Sequence, residues 1–381
     1  MNKKLIILLT LLIILAPCYK VYAEGTNENN LDQAVNDVIE GMDLTPLEDW
    51  LHKIFNVENV KEVIVQAIKG EYLSIEEMGN ALKGSLKSVL GSLSALFIQV
   101  LSIIVICSVL SSIRPDNGQI KDLIFLVCYC SVCLSVFTVV TRSIARTKET
   151  INELSAQIDG VFPIALTIMS ALGAKSSSTV YQPLYIGVST FFSGIIKNVL
   201  FPIVEVCACV ALFSSLGERF SLKKFLLFLT DAFKWIVGIT VTVFSFLSII
   251  KSISASTYDS FSIRALKYTI GNSFPLISGF AKEGIDVVFS SAILIKNAVG
   301  SLSIILLFFA LLSPFLEVLL LSLFLKLLPA LCEPIADNRI TQLLLNFSKV
   351  IGMLATLLIM IFIIYFIVLF LVIMAQNGLV L

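Results

Sequence analysis

Residues 261–300 read FSIRALKYTIGNSFPLISGFAKEGIDVVFSSAILIKNAVG. The stretch lies between two long apolar runs, yet it carries Arg264, Lys267, Lys282, Glu283, Asp286 and Lys296. Its charge-free run after Asp286, Val287–Ile295, has nine residues, which is about 14 Å as a helix. A bilayer core takes about 20 residues, so this run can enter a membrane but not cross it. Gly271, Pro275, Gly279 and Gly284 punctuate the approach to it. Charged, broken half-helices persist at membrane depth only where protein or a water-filled cavity shelters them. The plainer alternative is an amphipathic helical loop on the membrane surface.

The rest of the composition agrees with a membrane setting. Hydrophobic residues make up 57% and charged residues 14%, whereas a soluble domain is nearer half apolar and a quarter charged. The formal net charge is zero, which gives no reason to expect a nucleic-acid partner. His52 is the one histidine, and it reads as a solvated helix-face residue. No nucleophile–base constellation is recognisable, so neither catalysis nor a cofactor is expected. Cys128, Cys130 and Cys133 have a spacing that superficially suits a metal. They lie in an apolar run with no histidine near, and they read as small packing residues, as do Cys207 and Cys209.

Residues 1–23 have the form of a signal peptide: Lys3 and Lys4, the apolar core Leu5–Leu15, and Val21-Tyr22-Ala23 as a small-residue cleavage site. Residues 24–88 hold thirteen Asp/Glu against five Lys. They form an acidic extracytoplasmic segment of short amphipathic helices, packing on the membrane surface or on a partner. Thr45-Pro46-Leu47-Glu48 is a capping box with proline at the first helical position. The helix it opens puts Leu47, Trp50, Leu51, Ile54 and Phe55 on one face.

Residues 89–381 form the polytopic domain, with spans expected near 89–113, 123–140, 184–216, 225–250, 301–325 and 351–374. The fold class is all-α, about six transmembrane helices with short re-entrant or interfacial helices. Two apolar segments, 161–172 and 287–295, are too short to span. Residues 184–216 read as one kinked span or a tight hairpin, because Lys197, Asn198, Pro202 and Glu205 interrupt them. Loops 114–121, 217–224 and 326–349 hold eight Lys/Arg in forty residues, against eight in eighty-nine for 142–183 and 252–298. That bias places the first set in the cytoplasm and both chain ends outside, and it favours the single span. Phe162-Pro163 followed by Lys197 echoes Phe274-Pro275 followed by Lys296, the kind of internal repeat found in transporters.

Polar residues within spans normally face a bundle interior or an aqueous path. Lys197, Glu205, Asp286, Lys296, Asn297 and Glu317 are therefore the candidate pore or assembly residues. A lysine at mid-depth needs a partner, and Glu205 and Glu317 are the first acids expected to supply one to Lys296.

The order of several motifs resembles the stage III sporulation protein AE family. They are Arg264-Ala-Leu-Lys267, Gly271-Asn272, Pro275, Asp286 and Ile295-Lys-Asn-Ala-Val-Gly300. Pro163 with Gly173–Ser178, Gln182-Pro183 and Phe201-Pro202 add to it. The resemblance runs from about residue 80 to the C-terminus and does not extend to the acidic segment before it. It implies a multi-pass protein of the mother-cell membrane around the forespore. The implied partners are the other stage III sporulation A-operon proteins and, across the intermembrane space, stage II sporulation protein Q. Together they would form a channel or secretion-like apparatus needed for late forespore development. The competing function is a self-sufficient permease, with Lys197, Glu205, Asp286 and Lys296 along a substrate path.

Overall fold

The computed structural model describes residues 44–55, 63–64, 66, 75–113, 118–171, 175–214, 222–273, 278–333 and 337–374, with backbone alone over 251–273 and 278–292. Every described element is helical: α1 (Thr45–Phe55), α2 (Ile75–Ile113), α3 (Gly118–Ala171), α4 (Lys175–Gly187), α5 (Phe201–Phe213), α6 (Lys223–Ser273), α7 (Ser278–Cys332) and α8 (Asn338–Met374). Between α4 and α5 the chain stays helical through two π turns, Val188–Phe192 and Ile196–Leu200. Six helical stretches are long and apolar enough to cross a membrane: Val89–Leu110, Leu123–Ser170, Tyr181–Phe213, Lys223–Ile250, Ile293–Cys332 and Asn338–Ile373. The expected six-span helical architecture is thus present, and the protein is a multi-pass membrane protein. The signal-peptide residues 1–23 lie outside the described residues.

The helices run further than the sequence suggests. α3 is one helix of 54 residues, about 80 Å long. Arg142–Asp159 is therefore a continuation of the second span, and 161–171 forms its last turns. Pro163 sits inside this helix and, lacking an N–H, leaves the Asp159 carbonyl without its usual i+4 donor. Val287–Ile295 likewise lies within α7. The central stretch is helical to Ser273 and again from Ser278, residues 274–277 lying outside the described ones, and Gly279 and Gly284 do not break the helix. Of the expected repeat, Pro163 is internal to a helix and Phe274-Pro275 lies outside the described residues, while Lys197 is exposed and Lys296 is buried, so the two lysines have unlike surroundings.

The α4–α5 rod is a single helical run from Lys175 to Phe213, which excludes the hairpin. Its second π turn has a local cause. Pro202 has no N–H to offer the Asn198 carbonyl, and the Phe201 N–H bonds Ile196 five residues back.

α8 is the centre of the bundle. It packs along α7, α3, α6 and α5, and 67% of its apolar window is buried, against 28% for Val89–Leu110. Polar side chains fix its register. Asn346 donates to Ser214 at 2.9 Å, Ser348 to the Ser322 carbonyl at 2.9 Å, and Tyr365 to Ser155 at 2.7 Å.

α1 docks on α3 and α7. Leu47, Trp50 and Leu51 are fully buried, as the periodicity of that helix anticipates, and His52 is exposed. Pro46 lies so close to Gly160 that a Cβ there would meet Pro46 Cβ at 2.6 Å. The acidic N-terminal segment thus contacts the far half of α3 and α7, consistent with the charge bias that puts all three on one side of the membrane.

Candidate functional site

The polar half of α3 runs beside the α4–α5 rod, antiparallel to it. Tyr185 hydrogen-bonds Asp159 toward one end, and Tyr129 donates to the Leu212 carbonyl at 3.0 Å toward the other. Between them the Lys148 ammonium donates to Glu205 at 2.5 Å and lies over the Phe201 ring. Two residues earlier Arg146 Nη1 lies 2.6 Å from Glu317 Oε2 on α7, an ion pair by distance without hydrogen-bond alignment. Residues two apart on a helix point to different sides, so α3, wedged between α5 and α7, holds one acid on each. This seam differs from the expected arrangement. Glu205 and Glu317 are not the partners of Lys296; their cations come from a stretch that sequence reading assigned to an extramembrane loop. The missed signal was the absence of any helix breaker between Arg142 and Asp159, which left the two cations on a continuing helix.

The two pairs are not equivalent. The side chains of Lys148 and Glu205 are 43% and 47% exposed, whereas Glu317 is 15% exposed. Glu317 also lines a groove between α2, α3 and α7, about 460 Å³ in volume, with Gln99, Ser135, Thr138 and Arg142.

Lys296 is fully buried at the opposite end of α8 from the Asn346–Ser214 contact. It donates at 3.1 Å to the carbonyl of Ile373 on α8. Gly300, one turn on and on the same face of α7, allows the approach: a Cβ there would fall 2.5 Å from Ile373 Cγ1. Asn297 is half-buried beside Lys296. The side chain of Asp286 lies outside the described residues.

Lys197, in the second π turn, is exposed together with Asn198. The four described residues named for a permease path or its partners do not converge. Lys197 faces outward, Glu205 and Glu317 serve separate pairs, and Lys296 bonds the α8 backbone. The cysteines diverge too, with Cys128 buried and Cys130 exposed.

The family model for stage III sporulation protein AE matches residues 58–376. The chain belongs to the stage III sporulation protein AE family. A curated relative, stage III sporulation protein AE of Bacillus subtilis (strain 168), is 24% identical over 212 residues, covering 55% of this chain and 53% of that protein. The chain thus spans about half the length of that relative. No solved structure matches it. The family match covers all six spans, including Lys197, the two ion pairs and the Lys296–Ile373 bond. It makes the chain a member of a sporulation family with no assigned enzyme chemistry.

Proposed function

We propose that this protein is a membrane component of a sporulation channel or secretion-like complex. That complex would join the mother cell to the forespore, and the protein would sit in the mother-cell membrane around the forespore. Its neighbours would be the other stage III sporulation A-operon proteins, reached on the forespore side by stage II sporulation protein Q. The observation that carries this reading is the charged seam left half-exposed beside an apolar span. Lipid is a poor neighbour for Lys148, Glu205 and Lys197, so the bundle calls for protein or water against that face. The described candidate residues form no enclosed path within one chain, which favours a part of an assembly over a permease acting alone.

The experiment is purification from sporulating cells followed by reconstitution. The expected result is co-purification with the A-operon proteins and no transport by the chain alone. Solute flux through vesicles containing only this chain would overturn the reading in favour of the permease.

A further inference from the structure

The outward faces of the bundle are of two kinds. On α6 the exposed side chains include Phe228, Ile239, Val243, Phe246 and Leu247, a surface suited to lipid. On the α4–α5 rod Phe191, Val199 and Val206 are exposed as well, but Thr190, Lys197, Asn198 and Glu205 are exposed among them. Position makes the contrast sharp. A bilayer core takes about 20 helical residues, and every window of that length within Tyr181–Phe213 contains Lys197 and Asn198. Both residues are therefore at hydrocarbon depth wherever the rod sits. Asn198 is too short to reach an interface by snorkelling, and Lys197 has no ion pair or hydrogen bond among the described residues. The adjacent Lys148–Glu205 pair is charge-neutral, so Lys197 is the uncompensated charge of this face. Local geometry singles out the same place: the π turn Ile196–Leu200 holds both residues, and π turns in membrane and soluble helices are concentrated at functional positions.

We propose that the face carrying Lys197 and Asn198 lines a water-filled path, closed on its other side by neighbouring chains, and that Lys197 makes this path favour small anionic solutes. Cationic side chains at a constriction select anions by the same electrostatics that lets acidic rings select cations. This inference rests on the assembly reading above and adds to it the lining residues and the charge class of the cargo.

The test is thiol labelling in membranes from sporulating cells, where the assembly is native. Asn198→Cys is placed in a background with the exposed Cys130 and Cys209 replaced by serine, and that background is the blank. Val243→Cys is the lipid-facing control. The probes are two membrane-impermeant methanethiosulfonates, one a sulfonate and one a trimethylammonium. The expected result is rapid labelling of Asn198→Cys and none of Val243→Cys. With Lys197 present the anionic probe reacts faster. The anionic-to-cationic rate ratio falls roughly fivefold on Lys197→Gln at low ionic strength and inverts on Lys197→Glu. Asn198→Cys as inert as the control would overturn the lining assignment, and a ratio unmoved by Lys197→Gln would overturn the anion preference. Co-purification of the neighbours, measured on the same membranes, separates this failure from failure of the assembly reading. If complexes form while Asn198→Cys stays inert, only the lining falls. Equal labelling when the chain is expressed without its neighbours would overturn closure of the path by other chains.

Discussion

Gly300→Ala tests the junction where α7 meets the end of α8. The added methyl would stand 2.5 Å from Ile373 Cγ1 and 3.1 Å from Cδ1, where carbon pairs rest at ~3.5–4.0 Å. The helices must separate by about 1 Å for that contact to relax. The Lys296–Ile373 hydrogen bond, now 3.1 Å, would stretch with them. Overpacking of this kind costs ~1–3 kcal/mol. Alanine in place of glycine inside a helix recovers ~1 kcal/mol, so the net loss in the natural background is ~0–2 kcal/mol. In an Ile373→Ala background the clashing atoms are gone. There the same substitution should stabilise by ~1 kcal/mol. The assay is denaturant unfolding in mixed micelles of the four members of the cycle, which isolates the coupling between the two positions. An equal effect of Gly300→Ala in both backgrounds would refute the close-packing argument.

Three further outcomes follow from the same geometry. Glu317→Ala should destabilise the purified protein more than Glu205→Ala, because the half-exposed Lys148–Glu205 pair is worth less than ~1 kcal/mol while Glu317 is largely buried; thermal unfolding in detergent decides. Lys296→Ala should cost ~2–5 kcal/mol by leaving a cavity, and Lys296→Met, which keeps the volume, should cost less; thermal unfolding in detergent of both variants beside the unmodified protein checks the order. In a Trp235→Phe variant the remaining Trp50, 1% exposed, should be shielded from aqueous quenchers, and Gly160→Val should expose it by displacing Pro46 and undocking α1.

The sequence reading recovered what depends on local apolar density. All six spans, the start of α1 at Thr45 and its buried face follow from runs and periodicity that neighbouring residues carry. It failed where an element's environment is set from a distance. Arg142–Asp159 is polar, so it read as a surface stretch; its helix nevertheless continues and lies against the α4–α5 rod, which no local pattern reveals. Lys296 was expected to need an acid because a length argument put it near mid-membrane. Its bonded carbonyl belongs to Ile373, 77 residues away, a pairing across the bundle that no local pattern shows. The resemblance to the sporulation family was legible for a different reason: it rests on the order of short motifs, which survives low overall identity.

The position of α8 has a consequence for biogenesis. The helix that most of the bundle packs around is made after the other five spans. Chains are made from the N-terminus at ~5–20 residues per second, so the five earlier spans spend an interval in the membrane without their common core. During that time Ser155 and Ser214 lack the α8 side chains that bond them, Tyr365 and Asn346. Quality control by membrane proteases or transient chaperoning would act in this window. A premature stop just before α8, which removes little more than a tenth of the chain, should therefore be as damaging as loss of the whole protein.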